Sequence, residues 1–199
     1  MNPMKTFSLG QQSWERTMLA TELVRIRLQR MTTALEQAKI PYAVIGDCAV
    51  AAWIGRVDPS AVRFAKEIDL LIRRSDLEAA KSVLEPAGFI YLRTASQEMF
   101  LDSPEFRARD CVYLVFAGER VSTSDMLPAP DVIDAEAVES FHVLGLLALV
   151  RMKLTSYRDK DRTHLRDMIE VGLIDQSWPA KLPAELALRL QALLDTLEG

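Results

Sequence analysis

The sequence predicts an α/β protein in which a small mixed sheet packs against helices and is followed by a helical C-terminal segment. In the first part of the chain, segments with a helical period alternate with short apolar segments typical of buried strands. The clearest of these strands are at 42–45, 68–72 and 111–116. Beyond the stiff, proline-containing connection at 127–131, only helical patterns follow.

Size and composition limit the classes of protein that are compatible with the chain. Its 199 residues suit one domain, with an α/β core at 1–126 and a helical part at 127–199 packed on it as one compact unit. A net charge of -4 argues against a protein that coats nucleic acid non-specifically. Cys48 and Cys111 stand among apolar neighbours, which predicts buried, reduced thiols. Neither a signal sequence nor an apolar run of membrane-spanning length is visible, so we expect a soluble, cytoplasmic protein without membrane association.

The elements of the first half follow from apolar spacing and from turn residues. A helix is predicted over 17–38, followed by the buried strand at 42–45. A small-residue helix at 48–54 comes next, with Gly55 predicted as its left-handed C-cap. The strand at 68–72 is almost wholly apolar, which predicts a central position buried on both faces of the sheet.

The later elements are predicted in the same way. Ser75 is expected to be the N-cap of a helix, with Glu78 closing a capping box. The strands are predicted at 89–92, 100–101 and 111–116, and the helices at 143–157, 160–171 (ending at Gly172) and 183–197.

A pair of carboxylates and a glycine turn are the features most indicative of chemistry. Glu67 and Asp69 stand two positions apart at a strand, so their side chains share one face at a separation of roughly 6.6 Å. Two such carboxylates can hold Mg²⁺ together with substrate phosphates. Gly46, followed by Asp47, allows backbone N–H groups to approach a phosphate. The alternative is that the acids are polar strand ends and that Gly46 is an ordinary strand-to-helix turn.

The segment from Arg151 to Arg166 is basic. Six Lys and Arg residues stand against two acidic ones there, a local net charge of +4. Such a run forms either a solvated helix face with i,i+4 ion pairs or a phosphate-facing patch for a nucleotide or an RNA acceptor. His164 has no second histidine or cysteine at zinc-ligand spacing, so it does not predict a zinc site, and His142, beside Phe141, is interpreted as a packing residue.

Three separated motifs together resemble the nucleotidyltransferase-fold family, and in particular its AbiEii/AbiGii toxin branch within the polymerase-beta-like superfamily. The motifs are VIGDCAVA at 44–51 with EIDLL at 67–71, RMKLT at 151–155, and DKDRTHLRD at 159–167. The resemblance implies a nucleotidyltransferase-like mixed sheet and metal-dependent transfer of a nucleoside monophosphate from an NTP to an RNA or protein acceptor. It also implies a toxin–antitoxin pair with an antitoxin protein as partner.

The resemblance further implies roles for individual residues. Gly46 and Asp47 correspond to the family's glycine-rich, nucleotide-binding motif, and Glu67 and Asp69 correspond to its Mg²⁺-binding carboxylates. Lys153 is implied to bind the nucleotide. Asp167 is implied to complete the catalytic site.

The sequence departs from the family pattern at three positions. Asp47 stands where the family has Gly or Ser, and Glu67 replaces the first Asp of the carboxylate pair. Tyr113 lies in the strand where a third carboxylate is expected, and Asp110 is the nearest substitute. These departures favour an alternative function, that of a catalytically impaired protein which binds a nucleotide, RNA or another protein.

Overall fold

One mixed sheet forms the centre of the computed structural model. The structure describes residues 4–102, 111–138 and 140–197. Side chains are described for 14–102, 111–138 and 140–196. Asp110 lies outside the described residues. Within them the sheet has seven strands in the order β3-β4-β5-β2-β1-β7-β6. The strands are β1 Ala43–Ile45, β2 Ile68–Ile72, β3 Ile90–Arg93, β4 Glu98–Leu101, β5 Cys111–Phe116, β6 Ala135–Val138 and β7 Phe141–Leu144.

Helices flank this sheet and complete the predicted α/β class, which is thereby confirmed. A long helix precedes β1, two short ones follow β1 and β2, and three lie beyond β7. They are α1 Met4–Gln37, α2 Gly46–Gly55, α3 Leu77–Leu84, α4 Leu146–Ser156, α5 Asp159–Glu170 and α6 Ala184–Leu197.

Strand β2 is central, as its apolar composition predicts. It pairs antiparallel with β1 and parallel with β5. Ile68, Leu70, Leu71 and Ile72 are all fully buried. The only polar member of β2, Asp69, is partly exposed, and a carboxylate in so apolar a strand needs a polar or charged environment.

Two predictions about helix ends were wrong. Gly55 is the last residue of α2, and the C-cap residue Arg56 is right-handed, with φ -72°. The chain turns there through bonds from the N–H groups of Val57 and Asp58 to the Ile54 carbonyl, which need no left-handed residue. Ser75 is not an N-cap either. A short 3₁₀ turn, Arg74–Asp76, precedes α3 and places Asp76 at the cap without a side-chain hydrogen bond.

The prediction of a continuous helix over 143–157 also needs correction. Residues Phe141–Leu144 form β7, which pairs with β6 and places Val143 beside Val44 of β1. An apolar run of this length has the same pattern in a buried strand and in a buried helix, so periodicity cannot separate them. Thus β6 and β7 extend the sheet past residue 126, while the division into 1–126 and 127–199 stays a prediction.

Both cysteines match the expectation of buried thiols, since Cys48 and Cys111 are buried and free. Burial raises the pKa of Cys48 to about 12, and the charges of Asp69 and Asp47 add to this effect. None of the helices in the described ranges combines the length and apolar character needed to span a membrane.

Candidate active site

A cavity of about 430 Å³ lies where β1, β2 and β5 meet α4 and α5. Its wall contains a concentration of charge, with acidic side chains at β2 and α2 and mostly basic ones from α4, α5 and the turn between them. The charged residues lining it are Asp47, Glu67, Asp69, Asp125, Lys153, Arg158, Lys160 and Asp161.

The turn between β1 and α2 brings Gly46 against Asp69. Ile45 and Asp69 are register partners on β1 and β2, so the next residue along the chain passes directly over the Asp69 side chain. Gly46 has φ +67°, and a Cβ built on it would lie 2.9 Å from Asp69 Cγ. Only glycine suits both the backbone conformation and the space at this position.

Asp69 is a mostly buried carboxylate that accepts no hydrogen bond from the described part of the chain. Burial and the negative charges of Asp47 and Glu67 raise its pKa, and Lys153 and Lys160 lower it, so that the resulting pKa is about 6. A carboxylate in this state is stabilised by any additional positive charge that enters the cavity.

Lys160 provides positive charge next to these carboxylates. Its Nζ lies 2.8 Å from Asp47 Oδ1 and 3.4 Å from Glu67 Oε2. Burial lowers the pKa of Lys160, but the hydrogen bond to Asp47 and the charges of Asp47, Glu67 and Asp69 outweigh burial and raise it above its ordinary value. Lys160 is therefore a protonated ammonium at neutral pH.

Lys153 is held from the opposite wall by a buried ion pair with Asp161, whose Oδ1 lies 3.1 Å from Lys153 Nζ. Asp161 also accepts bonds from Ser156 Oγ at 2.7 Å and from the Arg158 N–H at 3.2 Å. Burial raises the pKa of Asp161, yet the charge of Lys153 and the bond from Ser156 hold it below its usual range. This network fixes the direction of Lys153 and links the end of α4 to the first turn of α5.

Asp167 does not reach the main cavity. It lies further along α5 and forms an ion pair with Arg63, whose Nε is 2.7 Å from Asp167 Oδ2. Asp167 lines a separate cavity of about 30 Å³ together with Asp47 and His164. Of the residues implied by the resemblance, the structure groups Gly46, Asp47, Glu67, Asp69 and Lys153, and it places Asp167 behind them.

His164 lines the smaller cavity, with Nε2 3.8 Å from Asp47 Oδ1. Its Nδ1 is buried and has no hydrogen-bond partner among the described residues. Burial and the positive charge of Lys153 together lower the pKa of His164 to about 4, so the ring is neutral at physiological pH. A neutral His164 therefore packs behind Asp47 without neutralising it.

Tyr113 is the neighbour of Asp69 on β5, since the two residues are direct register partners. Its ring lines the cavity at the place where the resemblance implies a third carboxylate. Burial raises the pKa of Tyr113, and the charges around it, including those of Glu67 and Asp69, add to the shift. Tyr113 therefore presents a neutral phenol beside Asp69.

The donor chemistry of the cavity fits a hard cation such as Mg²⁺. Asp47, Glu67 and Asp69 face one space, and oxygen ligands are those that Mg²⁺ prefers. Within the described ranges, however, no three His, Cys, Asp or Glu side chains form a ready metal-binding cluster. The carboxylates are thus suitable in kind, but two of them are paired with Lys160.

Sequence reasoning did not single out Lys160 and Asp161, which it treated as part of a basic run. The available signal was the alternation of charge in Asp159-Lys160-Asp161 at the start of a helix, where acidic residues also stabilise the helix dipole. The partner of each charge could not be inferred, because Lys160 and Glu67 are 93 residues apart in the chain.

Comparison with known proteins supports the fold. No protein-family model matches the sequence, and no curated protein matches it either. The solution structure of the antibiotic-resistance factor ANT(2'')-Ia is 14% identical, with 89% of this chain and 92% of that chain covered and a TM-score of 0.51. The crystal structure of ANT(2'')-Ia in complex with adenylyl-2''-tobramycin is 13% identical over 90% and 99% of the two chains, with a TM-score of 0.45.

A crystal structure of a Helicobacter pylori protein assigned as a nucleotidyltransferase is 14% identical over 92% of this chain and 97% of that chain, with a TM-score of 0.40. At these identities the ANT(2'')-Ia solution structure shows a shared nucleotidyltransferase fold and nothing finer. The AbiEii-like branch stays a prediction from the sequence motifs.

Proposed function

We propose that this protein is a nucleotidyltransferase that transfers a nucleoside monophosphate from an NTP to an acceptor, with pyrophosphate as the leaving group. The observation that carries the proposal is the convergence of the Gly46 turn, the carboxylates of Asp47, Glu67 and Asp69, and the Lys153 ammonium on one cavity of about 430 Å³. A cavity of this volume is in the range that accommodates a nucleotide-sized ligand.

The triphosphate is proposed to bind where α2 begins. Gly46 is the first residue of the ten-residue helix α2, whose first N–H groups lack intrahelical acceptors and can bind an anion. Asp47 lies in that first turn and would repel a bare phosphate, so the phosphates need a cation near the helix end. Lys153, held in place by Asp161, is proposed to supply positive charge from the other wall.

The carboxylates are proposed to hold the divalent cation, with Glu67 and Asp69 as the main ligands and Asp47 beside them. When bound, Mg²⁺ would neutralise charge on the transferred phosphoryl group and on the leaving pyrophosphate. Phosphoryl transfer depends largely on positioning and charge neutralisation. In this chain the glycine turn, the buried Asp69 and the fixed Lys153 perform the positioning.

Asp167 is proposed to act at a distance from the cavity. Its ion pair with Arg63 ties α5 to the segment between α2 and β2. Because α5 also carries Lys160 and Asp161, this tie supports the position of both residues. The role implied by the resemblance, in which Asp167 completes the site, is thus retained as an indirect one.

The acceptor is proposed to be RNA or a protein, as in the AbiEii-like toxins that the motifs resemble. A second cavity of about 360 Å³ adjoins the first and shares Gln97, Val115 and Val121 with it. Arg74, Arg93 and Arg120 line this second cavity. Glu98 and Glu119, which pair with Arg74, line it too, so an acceptor would approach Asp69 past charged side chains of both signs. A cytoplasmic toxin paired with an antitoxin protein is part of the same proposal.

A binding module without catalytic activity is the second candidate. Tyr113 stands beside Asp69 where a further carboxylate is implied, and Lys160 is paired with Asp47 and Glu67. Both features reduce the number of carboxylates that are free to hold a metal. In this alternative the cavity binds a nucleotide, RNA or a protein, and no nucleotidyl group is transferred.

The two candidates are separated by measuring binding and transfer in the same samples. Calorimetry with each NTP, with and without Mg²⁺, is expected to show Mg²⁺-dependent binding that Asp69→Asn removes and that the exposed control Glu85→Gln retains. Transfer of label from an α-³²P-NTP to RNA or protein, with release of pyrophosphate, supports the enzyme. Binding without transfer supports the module. The absence of binding by any NTP contradicts the enzyme and leaves only a module that binds RNA or a protein.

A further inference from the structure

Lys160 differs from Lys153 in how it is held, although both ammonium groups line one cavity and their charges act on Asp69. The Lys153 side chain is only 9% exposed and is fixed by Asp161, whereas that of Lys160 is 53% exposed. Lys160 is the second residue of α5, so its long stem extends from the start of the helix toward the cavity. It can leave its position by rotating about side-chain bonds, without breaking the packing of the core.

The partners of Lys160 are the carboxylates that a metal ion would need. Its Nζ is 2.8 Å from Asp47 and 3.4 Å from Glu67, and its charge also acts on Asp69. In the described ranges no other lysine or arginine pairs with Asp47 or Glu67. The ammonium therefore offsets part of the negative charge of these carboxylates in the place of an external cation.

We propose that the Lys160 ammonium is the internal counter-ion of this site and that an incoming divalent cation displaces it from Asp47 and Glu67. This exchange rests on the proposed function, since it concerns the cation that would serve nucleotidyl transfer. A divalent ion and an ammonium group cannot both lie against the same two carboxylates, because like charges at such distances repel. The apparent metal affinity of the free protein is thus reduced, because only the molecules in which Lys160 has left the two carboxylates can bind the ion.

The same exchange couples the metal to the nucleotide. Once displaced, the ammonium lacks its carboxylate partners, and the phosphates of an NTP are the strongest acceptors that could enter the cavity. The NTP is therefore expected to raise the metal affinity of the wild-type protein by a larger factor than that of Lys160→Met.

Mn²⁺ binding to the full chain tests the exchange without nucleotide or turnover. Free Mn²⁺ is measured by electron paramagnetic resonance in titrations of the wild type and Lys160→Met. The variant is expected to bind Mn²⁺ about tenfold more tightly. This factor is expected if Lys160 lies on its carboxylates in about 90% of the free wild-type molecules and the substitution removes that state. Lys66→Met removes the same charge beside Glu67 from an exposed side chain, and is expected to bind like the wild type. Equal affinities for wild type and Lys160→Met, or equal gains in both variants, overturn the proposal.

A measurement on the wild-type protein avoids any effect of substitution on folding. Lys160 and Lys66 are acetylated briefly with acetic anhydride, with and without saturating Mn²⁺, and quantified by mass spectrometry. Mn²⁺ is expected to increase acetylation of Lys160 and to leave that of Lys66 unchanged, and unchanged Lys160 acetylation overturns the exchange. The transfer assay decides the proposed function separately. If Mn²⁺ displaces Lys160 but no nucleotidyl group is transferred, only the binding module remains. If a nucleotidyl group is transferred but Lys160 is not displaced, the protein is the proposed enzyme and Lys160 is not its internal counter-ion.

Discussion

The Asp69 carboxylate lies against the α-carbon of Gly46, in the space that the Cβ of any other residue would need. A Cβ on Gly46 would come within 2.9 Å of Asp69 Cγ, and the backbone there is left-handed, with φ +67°. The glycine turn and the central acid are therefore one structural unit, and neither can be changed without affecting the other.

Gly46→Ala is expected to lower the free energy of unfolding by about 2–4 kcal/mol, because backbone strain and a steric clash with Asp69 add together. Gly172→Ala is the matched control, since Gly172 has φ +76° and nothing within 4 Å of the position of its Cβ. The control should lose about 1 kcal/mol. Urea denaturation of both variants measures the difference, and equal losses would show that contact with Asp69 does not matter.

Asp69→Asn is expected to raise the free energy of unfolding at pH 7.5 by about 1–3 kcal/mol while removing Mg²⁺-dependent NTP binding. Burial and the carboxylates of Asp47 and Glu67 raise the pKa of Asp69 to about 6, so its ionised form is disfavoured in the folded protein. For an acid with a raised pKa, this cost develops as pH rises through the unfolded-state value and is complete above about 6. A loss of stability at pH 7.5 would contradict this account of Asp69.

Lys153→Met is expected to lower the free energy of unfolding by about 3–5 kcal/mol, because it leaves the buried Asp161 carboxylate without its ammonium partner. The double variant Lys153→Met/Asp161→Asn should recover a substantial part of this loss, since an amide can still accept the Ser156 hydrogen bond without carrying a charge. Chemical denaturation of the complete double-mutant cycle measures the coupling. Additive losses would mean that the two side chains do not interact.

Glu98→Gln is expected to cost about 1–3 kcal/mol of stability at pH 7 and less as the pH approaches 3. Burial raises the pKa of Glu98, but bonds from Tyr91 and Arg74, both 2.6 Å, outweigh burial and hold it below its usual value. For an acid with a lowered pKa, the stabilisation is complete above the unfolded-state pKa and is lost as pH falls through the folded-state value.

Urea denaturation of wild type and Glu98→Gln at several pH values between 7 and 3 tests this dependence. Glu78→Gln is the control, because Glu78 also pairs with a base, Lys81, but is 82% exposed. Such an exposed pair contributes about 0–1 kcal/mol, so the control should change little. A pH-independent cost at Glu98 would assign its effect to shape and not to charge.

Strands with an unambiguous pattern were predicted well. Both β2 and β5 have the predicted bounds, because mostly apolar segments of five or six residues between polar turns match the length of a buried strand and are too short for a typical helix. Strand β7 was missed because its apolar residues continue into α4 with only Gly145 between them. A Cβ on Gly145 would lie 2.6 Å from the Asp134 carbonyl oxygen, a long-range contact that no local pattern reveals.

The sequence by itself determined the local parts of the candidate site. The strand–glycine–helix unit at Gly46 and the two acids at the start of β2 follow from neighbouring residues, whose geometry is set by backbone conformation and strand pleat. Only the tertiary structure decided which charges meet. Lys153 pairs with Asp161, Lys160 with Asp47 and Glu67, and Arg63 with Asp167 because α5 packs against α2 and α4. Ion pairs between segments so far apart depend on packing, which the order of residues along the chain does not show.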